Sequence, residues 1–291
     1  MKRSMLFIPG NTPNLLINGN CLGADMVIFD LEDAVSPDEK DSARVLVRNT
    51  LKYLNFKTLG TIVRINSVDT PYWKKDLDEI MPYTPDMIML PKTGCPADVL
   101  AADAYMTELE EKLGLAKNTV KLMLLMETAM GVENAYASAS ASERVGAIFL
   151  GAEDLTADLR CKRTKESREI EYARQRMVVA GRAANVDVYD TPFTDVNDDE
   201  GIRKDAAVAK AMGFTGKASI SPRHVDAINE VFSPSEKDIN YAYEVMDAIK
   251  LAKEQGRGAI ALHGKMIDAP IVARAQQTIA AAEELGLGRE A

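Results

Sequence analysis

The sequence predicts a (β/α)8 TIM barrel, an α/β fold, followed by a small C-terminal helical extension. Three observations indicate this fold class: short apolar runs recur through most of the chain, helix-like segments separate them, and there are eight of them before residue 222. Apolar runs without strict polar alternation are typical of parallel strands that are covered on both faces. Eight strand–helix units fit a barrel, whose usual size is about 250 residues.

The predicted strands are, in chain order, Ser4–Ile8, Met26–Asp30, Thr61–Ile65, Met87–Leu90, Lys121–Met126, Ala147–Leu150, Val186–Tyr189 and Lys217–Ile220. An open doubly wound sheet would also alternate strands with helices. Its dinucleotide-binding form carries a GxGxxG motif after the first strand, and the sequence has no such motif there. The closed barrel is therefore the simpler interpretation.

Two segments between the strands carry the same helix-start signal. Ser36–Glu39 and Ser233–Glu236 each provide a serine cap, a proline at the first helical position and a capping-box glutamate. They predict helices over the following residues, and Gly256 is expected to end the second one. The strand pattern stops after Pro222, so we expect a barrel over residues 1–222 and an extension over residues 223–291.

The extension is expected to contain two helices joined by the glycine-flanked segment Gly256–Pro270. It is too small to form a separate catalytic domain. We expect it to cover the mouth of the barrel, either of its own subunit or of a neighbouring one.

The charge and residue counts exclude several classes of function. The chain has 44 acidic and 35 basic residues, a formal charge of −9, which disfavours binding to nucleic acid. Its two histidines, His224 and His263, are too few for a histidine-rich zinc site and are expected to be structural. No Ser-His-Asp grouping can be placed at the strand ends, so a serine hydrolase is not expected. The fourteen methionines are expected to fill the core.

The cysteines and the apolar runs indicate the cellular compartment. Cys21, Cys95 and Cys161 are odd in number and far apart, so no disulfide framework or CxxC motif is expected. The apolar run at the N-terminus is too short for a signal peptide, and no stretch approaches the length of a membrane span. These features predict a cytoplasmic protein that does not bind membranes.

Charged residues follow several of the predicted strands, where the active site of a barrel lies. They are Asp30–Asp33, Arg64, Lys92, Glu127 and Glu153–Asp154. Carboxylates without histidine or thiolate partners suit a hard cation such as Mg2+. Any single acidic residue after a strand is more often a helix cap or a solvated loop residue, and Glu153 is assigned that structural role. Arg64 lies inside an apolar run and needs a carboxylate partner, from the protein or from a substrate.

A series of motifs, in order, resembles the citrate lyase beta subunits and the wider citramalyl-CoA and malyl-CoA lyase group, within the HpcH/HpaI-type aldolases. The resemblance runs from Arg3 to about Gln277, and each motif alone would be weak. The motifs are FIPGN, FDLEDAVSPDEKDSAR, VRIN, MLPK, METAMGVENA, GAEDLTADL, DTPFTDVNDDEG, MGFTGKASISPRHV and GKMIDAPIVARAQ.

The resemblance implies a Mg2+-dependent carbon–carbon lyase that cleaves a 3-hydroxy-3-carboxyacyl thioester into a 2-oxo acid and an acyl thioester. The family's metal ligands correspond to Glu127, which would also border the substrate, and Asp154. The arginine that holds the substrate carboxylate corresponds to Arg64. A carboxylate near the metal-bound waters corresponds to Asp33 and, less directly, to Glu32.

The resemblance also gives Asp268 a role as the general acid that protonates the enolate carbon, supplied across a subunit contact. Its place just before Ala269 and Pro270 equally allows a simple helix cap, which would lower rather than raise its pKa. Two local departures stand out. Ser221 occupies a position where relatives acting on free CoA thioesters have histidine, and Arg160 occupies a position where glycine is common.

Four further residues are candidates to bind the phosphates or pantetheine arm of a thioester carrier: Arg3, Gly10, Lys92 and Lys217. Each of them could instead be a solvated or packing residue. The expected substrates are citryl thioester and oxaloacetate, and the expected partners are the acyl carrier and alpha subunits of a citrate lyase complex. The resemblance favours a homo-oligomer, in particular a trimer.

Two other functions stay open at this point. One is a malyl-CoA or citramalyl-CoA lyase, or a thioesterase, acting on free CoA thioesters. The other is a non-catalytic barrel that binds an acyl carrier. The joint presence of Glu127, Asp154 and Arg64 argues against the second, because a scaffold needs none of them.

Overall fold

The structure, a computed structural model, describes residues 1–56, 59–254 and 260–288. Eight parallel strands close into a barrel in chain order, with the last strand paired to the first. The strands are β1 Ser4–Pro9, β2 Met26–Asp30, β3 Gly60–Arg64, β4 Met87–Leu90, β5 Lys121–Met126, β6 Val145–Leu150, β7 Asp187–Asp190 and β8 Gly216–Ser219. The predicted (β/α)8 barrel is confirmed, and the ends of the predicted strands shift by at most two residues.

Helices alternate with these strands. They are α1 Pro13–Asn18, α2 Lys40–Tyr53, α3 Trp73–Ile80, α4 Pro96–Leu113, α5 Ala129–Glu133, α6 Ala135–Ala139, α7 Ala152–Asp158, α8 Glu171–Ala184, α9 Asp199–Met212, α10 Val225–Phe232, α11 Glu236–Glu254 and α12 Ala269–Glu284. Short 3₁₀ turns cover Gly19–Cys21, Pro37–Glu39, Met81–Tyr83, Arg168–Ile170 and Pro222–His224. Within the described residues, no helix is long and apolar enough to cross a membrane.

Both predicted capping boxes differ from the structure. The Ser36 hydroxyl donates to the Glu39 carboxylate, and the same carboxylate accepts from Asn11. Neither Ser36 nor Glu39 therefore caps α2 through its side chain. At α11 the box is formed two residues later, because the Ser235 N–H donates to Asp238 and the Asp238 N–H donates to the Ser235 hydroxyl. The predicted end of this helix at residue 256 lies outside the described residues.

The interior of the barrel is filled by side chains from all eight strands. They include four buried methionines, for which the predicted place in the core is confirmed, whereas Met130 and Met266 are exposed. The cluster comprises Met5, Met26, Ile28, Ile62, Met89, Met123, Leu125, Ala147, Phe149, Tyr189 and Ala218.

Arg144, just before β6, is a fully buried charge at the amino-terminal end of the barrel. Its guanidinium donates to Asp103 at 2.6 Å and to both carboxylate oxygens of Glu110 at 2.8 Å. Further bonds reach the Thr107 hydroxyl and the Val120 carbonyl. Arg144 thereby ties α4 to the segments that enter β5 and β6.

The chain divides into two compact units, Lys2–Glu230 and a second that begins at Val231 and includes Met1. In the second unit α11 packs against α12 through an apolar cluster that includes Ala242, Val245 and Ala275. Two short antiparallel strands, β9 Ile260–Leu262 and β10 Lys265–Ile267, connect these helices. The division falls near the end of α10, whereas the sequence places the boundary after residue 222.

Candidate active site

A cavity of about 330 Å3 lies at the carboxyl ends of the barrel strands. Its charged lining residues are Asp30, Asp33, Arg64, Glu127, Glu153 and Asp154. Its apolar wall includes Phe7, Leu125, Phe149 and Ile220. The structure therefore brings together most of the charged residues predicted from the strand ends.

Arg64 is held by Asp30, its register partner on the neighbouring strand β2. Its Nε and Nη2 atoms donate to the two Asp30 oxygens at 2.7 and 2.6 Å, and its Nη1 atom lies 3.1 Å from Glu32 Oε2. Burial opposes the charge, but the bonds to Asp30 outweigh it and raise the pKa of Arg64 above its usual value. The predicted carboxylate partner is thus confirmed, and it is a protein group.

Asp30 is a site residue to which the sequence alone assigned no role. Besides Arg64, its carboxylate accepts the N–H groups of Glu32 at 2.9 Å and Ala34 at 3.2 Å. It therefore orients the arginine and shapes the turn after β2. The available signal is an aspartate that ends a fully buried strand, since a buried carboxylate requires a partner.

Glu32 and Asp33 occupy different environments. Glu32 is 5% exposed, and its Oε1 accepts from Lys92 Nζ at 3.0 Å, whereas Asp33 is exposed and lies 3.6 Å from the same Nζ. Burial raises the pKa of Glu32 above its usual value. Glu32, the less favoured of the two in the sequence, is therefore the carboxylate that joins the buried charges. The catalytic role predicted for either residue stays a prediction.

Lys92 contacts two carboxylates through different atoms. Its ammonium pairs with Glu32, while its backbone N–H donates to Glu127 Oε1 at 2.7 Å. The backbone is left-handed at this residue, with φ of 51°, and this uncommon conformation accompanies the bond to Glu127. Lys92 thus belongs to the carboxylate cluster, and a carrier contact through its partly exposed ammonium stays a prediction.

The predicted metal ligands come from neighbouring strands. Glu127 directly follows β5, and Asp154 lies in the first turn of α7, after β6. Glu127 is 3% exposed; burial, followed by the charges of Glu32 and Asp154, raises its pKa to about 8. A Cβ atom on Gly151 would lie 2.7 Å from Glu127 Cβ, so any larger residue there would displace Glu127.

The donor set fits a hard divalent cation. The Asp154 carboxylate makes no hydrogen bond or ion pair in the part of the chain that the structure describes, and its charge raises the pKa of Glu127. A cation between these carboxylates would relieve their repulsion. The described ranges contain no group of three or more His, Cys, Asp or Glu arranged to hold a metal. Mg2+ is usually bound by one or two protein carboxylates, and water or substrate oxygens fill its remaining coordination positions.

Two of the proposed carrier contacts are wrong. Lys217 is fully buried, and its Nζ lies 2.6 Å from a carboxylate oxygen of both Asp190 and Asp205, so it cannot reach a carrier. Arg3 precedes β1, at the opposite end of the barrel from the cavity, and pairs with Asp25.

Gly10 has a packing role. Its N–H donates to the Asp30 carbonyl at 2.8 Å, and a Cβ atom would lie 2.7 Å from that oxygen. Glycine is thus required where the end of β1 meets the end of β2. A substrate contact by Gly10 stays a prediction.

Asp268 and the two histidines each contact another residue of the protein. Asp268 is exposed and caps α12, since its Oδ1 accepts the Ile271 N–H at 3.1 Å, so the helix-cap interpretation is confirmed. His224 is buried beside Phe193, and burial lowers its pKa. His263 bonds to Glu244. None of these facts tests the general-acid role of Asp268.

The pKa of Glu127 predicts a pH dependence of metal binding. Without metal its carboxyl titrates at about 8, so at neutral pH a bound Mg2+ must displace the proton. We expect the affinity for Mg2+ to rise up to about tenfold per pH unit and to level off above that pKa. Titration calorimetry in buffers of different ionisation enthalpy measures the released proton. A flat affinity from pH about 6 to about 9 would contradict the assignment.

The fold is a closed parallel barrel, and its strand ends carry a cavity lined by carboxylates, which is where barrel enzymes have their active sites. The model of the HpcH/HpaI aldolase/citrate lyase family matches residues 3–222. The chain belongs to this family, which confirms the family predicted from the motifs.

Several curated relatives span nearly the whole chain. Citrate lyase subunit beta of Leuconostoc mesenteroides subsp. cremoris is 40% identical over 279 residues, which cover 96% of this chain and 92% of the relative. The L-malyl-CoA/beta-methylmalyl-CoA lyase of Cereibacter sphaeroides is 34% identical, and the match covers 97% of this chain and 94% of that protein.

Solved structures agree with the fold. The CitE protein of Mycobacterium tuberculosis in complex with magnesium, acetoacetate and coenzyme A has a TM-score of 0.78 and 28% identity, covering 97% of this chain and 98% of that one. A citrate lyase beta subunit from the same organism, complexed with oxaloacetate and magnesium, has a TM-score of 0.67 and 29% identity. The match covers 79% of this chain and 96% of that one.

Proposed function

We propose that the protein is a Mg2+-dependent carbon–carbon lyase that cleaves citryl thioester to oxaloacetate and an acetyl thioester. The observation that carries the proposal is the pair Glu127 and Asp154, two carboxylates from neighbouring strand ends that share one cavity with Arg64. The similarity to citrate lyase beta subunits supports the choice of substrate. The free state of the three cysteines suits action in the reducing cytoplasm.

The reaction breaks the bond between the carbinol carbon and the carbon next to the thioester. The hydroxyl proton leaves, the bond's electron pair passes to the thioester enolate, and the enolate carbon takes up a proton. When bound, Mg2+ supplies positive charge where negative charge develops on the substrate oxygens. Glu127 and Asp154 would hold it.

Arg64 would orient the substrate, and Glu32 or Asp33 would accept its hydroxyl proton. Two nitrogens of Arg64 are bonded to Asp30, and its Nη1 atom is ion-paired with Glu32 at 3.1 Å without a hydrogen bond to it. An N–H of Nη1 is therefore the group that would bind a substrate carboxylate. This charge-assisted contact orients the substrate. Glu32, with its raised pKa, or Asp33 would accept the hydroxyl proton. The apolar wall of Phe7, Leu125 and Phe149 limits the access of water to the enolate.

A panel of thioesters tests the choice of substrate. With Mg2+, we expect oxaloacetate to form faster from citryl-CoA than pyruvate or glyoxylate forms from citramalyl-CoA or malyl-CoA. Cleavage of malyl-CoA without cleavage of citryl-CoA would favour the alternative indicated by the malyl-CoA lyase relatives. Release of free thiol with an intact hydroxy acid would indicate a thioesterase. Ligand binding without turnover would indicate a carrier-binding barrel.

Asp268 is proposed as the acid that protonates the enolate carbon. Asp268→Asn tests this cleanly, because asparagine caps a helix as well as aspartate does but cannot donate a carboxylic proton. We expect turnover to fall by about 10²- to 10⁴-fold, with Mg2+ affinity and melting temperature unchanged. Near-normal turnover would leave Asp268 as a helix cap only.

We further propose a homo-oligomer, as a trimer, that works with acyl carrier and alpha subunits, each Asp268 serving a neighbouring subunit. Light scattering measures the subunit number. Mixing Asp268→Asn with Glu127→Gln subunits under exchange conditions tests the shared site. Activity in the mixture above that of the two separate variants supports a shared site. A mixture that is no more active than the separate variants shows that each chain uses its own Asp268.

A further inference from the structure

The helix that carries Asp154 begins without a cap of its own. Its N-cap residue is Gly151, which has no side chain to accept a helix N–H. The N–H of Ala152 instead donates to the Thr191 hydroxyl at 3.2 Å. Thr191 is 1% exposed and follows β7, so a neighbouring strand end supplies the missing acceptor.

Thr191 is itself held in place. Its carbonyl accepts a hydrogen bond from Lys217 Nζ at 2.6 Å. Lys217 also pairs with Asp190 and Asp205, and Arg174 binds both of these carboxylates, at 2.8 Å from Nη2 to each. The two cations and two anions form a buried group between β7, β8, α8 and α9.

This charged group is a stable base for Thr191. Every carboxylate in it faces two cations, so a displacement of Lys217 would leave a buried charge with fewer partners, which is costly. A continuous path of bonds therefore runs from Lys217 through Thr191 to Ala152, two residues before Asp154.

We propose that Thr191 is a positioning residue that fixes the first turn of α7 and so sets the Asp154 carboxylate for Mg2+. The inference rests on the proposed function, since it needs Asp154 to bind the metal. Thr191, Gly151 and Asp154 line the same cavity, so the path ends at the site. Partners that orient metal ligands typically change metal affinity by about 10- to 100-fold.

Two other roles for Thr191 give different results. If its hydroxyl only stabilised the fold, its loss would lower the melting temperature and leave Mg2+ affinity unchanged. If it only touched the substrate, its loss would weaken oxaloacetate binding at saturating Mg2+ and leave Mg2+ affinity unchanged.

The test compares wild type with Thr191→Val, which keeps the shape, and Thr191→Ser, which keeps the hydroxyl. Mg2+ affinity is measured by calorimetry without substrate, together with melting temperature and oxaloacetate affinity. We expect Thr191→Val to weaken Mg2+ binding by about tenfold and Thr191→Ser to stay within about threefold of wild type. Thr191→Ala replaces the valine variant if the latter does not fold, with the same expected loss.

Wild-type Mg2+ affinity in Thr191→Val overturns the inference and leaves the proposed function intact. A wild-type protein that binds no Mg2+ contradicts both. Equal losses in Thr191→Val and Thr191→Ser also overturn the inference, because the hydroxyl would then not be the group that matters.

Discussion

Asp154→Asn is expected to abolish measurable Mg2+ binding and to lower the cleavage of citryl-CoA by at least about 10³-fold, which corresponds to roughly 4 kcal/mol of the barrier. The physical reason is that Asp154 would supply one of the two proposed charged ligands, and its carboxylate pairs with no cation within the described residues. Calorimetry and an oxaloacetate assay measure the two effects. Glu153→Gln, one residue earlier and mostly exposed, is the matched control and should behave like wild type.

The companion variant Glu127→Gln should lose Mg2+ binding as well, yet gain stability without metal. The folded protein holds the Glu127 proton up to pH about 8, whereas the unfolded chain releases it near the ordinary glutamate pKa of 4.5. A raised carboxyl pKa means that folding stability falls as pH rises between these values. Glutamine carries no such penalty, so the variant should melt higher than wild type in EDTA at pH about 8. A lower melting temperature there would contradict the raised pKa of Glu127, and wild-type Mg2+ binding in either variant would contradict the metal site.

Arg144→Met should lower the free energy of unfolding by about 3–5 kcal/mol, because removing one partner leaves a buried charge uncompensated. Arg144 is fully buried, and Glu110, which it binds at both oxygens, is 1% exposed. Urea unfolding measures the change. The control is Arg203→Met, an exposed arginine that pairs with Glu230 on the surface, where the loss should stay below about 1 kcal/mol. Equal losses in the two variants would show that the buried cluster contributes no more than a surface pair.

Most of the strands were predictable because they are apolar runs, and burial on both faces leaves that pattern in the sequence. The site residues Glu127, Asp154 and Arg64 were predictable from the strand-end rule and the family motifs together. The partner of Arg64 was not, because Asp30 lies 34 residues earlier in the chain and meets it only through strand pairing. Local sequence carries no record of such a pairing.

Lys217 was predicted to contact a carrier, and the structure buries it instead. A lysine in the eighth predicted strand looked available to an anionic carrier, but Asp190 and Asp205 neutralise it from 27 and 12 positions away in the folded barrel. Whether a charge beside a strand faces solvent or the interior depends on partners that tertiary packing brings near. The order of Glu32 and Asp33 was uncertain for the same reason, since only the turn held by Asp30 buries one and exposes the other.

The most direct measurement follows the conversion of citryl-CoA by the purified protein in three conditions: with Mg2+ present, after EDTA is added, and after Mg2+ is restored. The residues gathered around Glu127, Asp154 and Arg64 predict oxaloacetate equimolar with the citryl-CoA consumed, no free thiol, loss of the reaction in EDTA and its return with Mg2+. An undiminished rate in EDTA, or citrate and free thiol in place of oxaloacetate, would contradict the account.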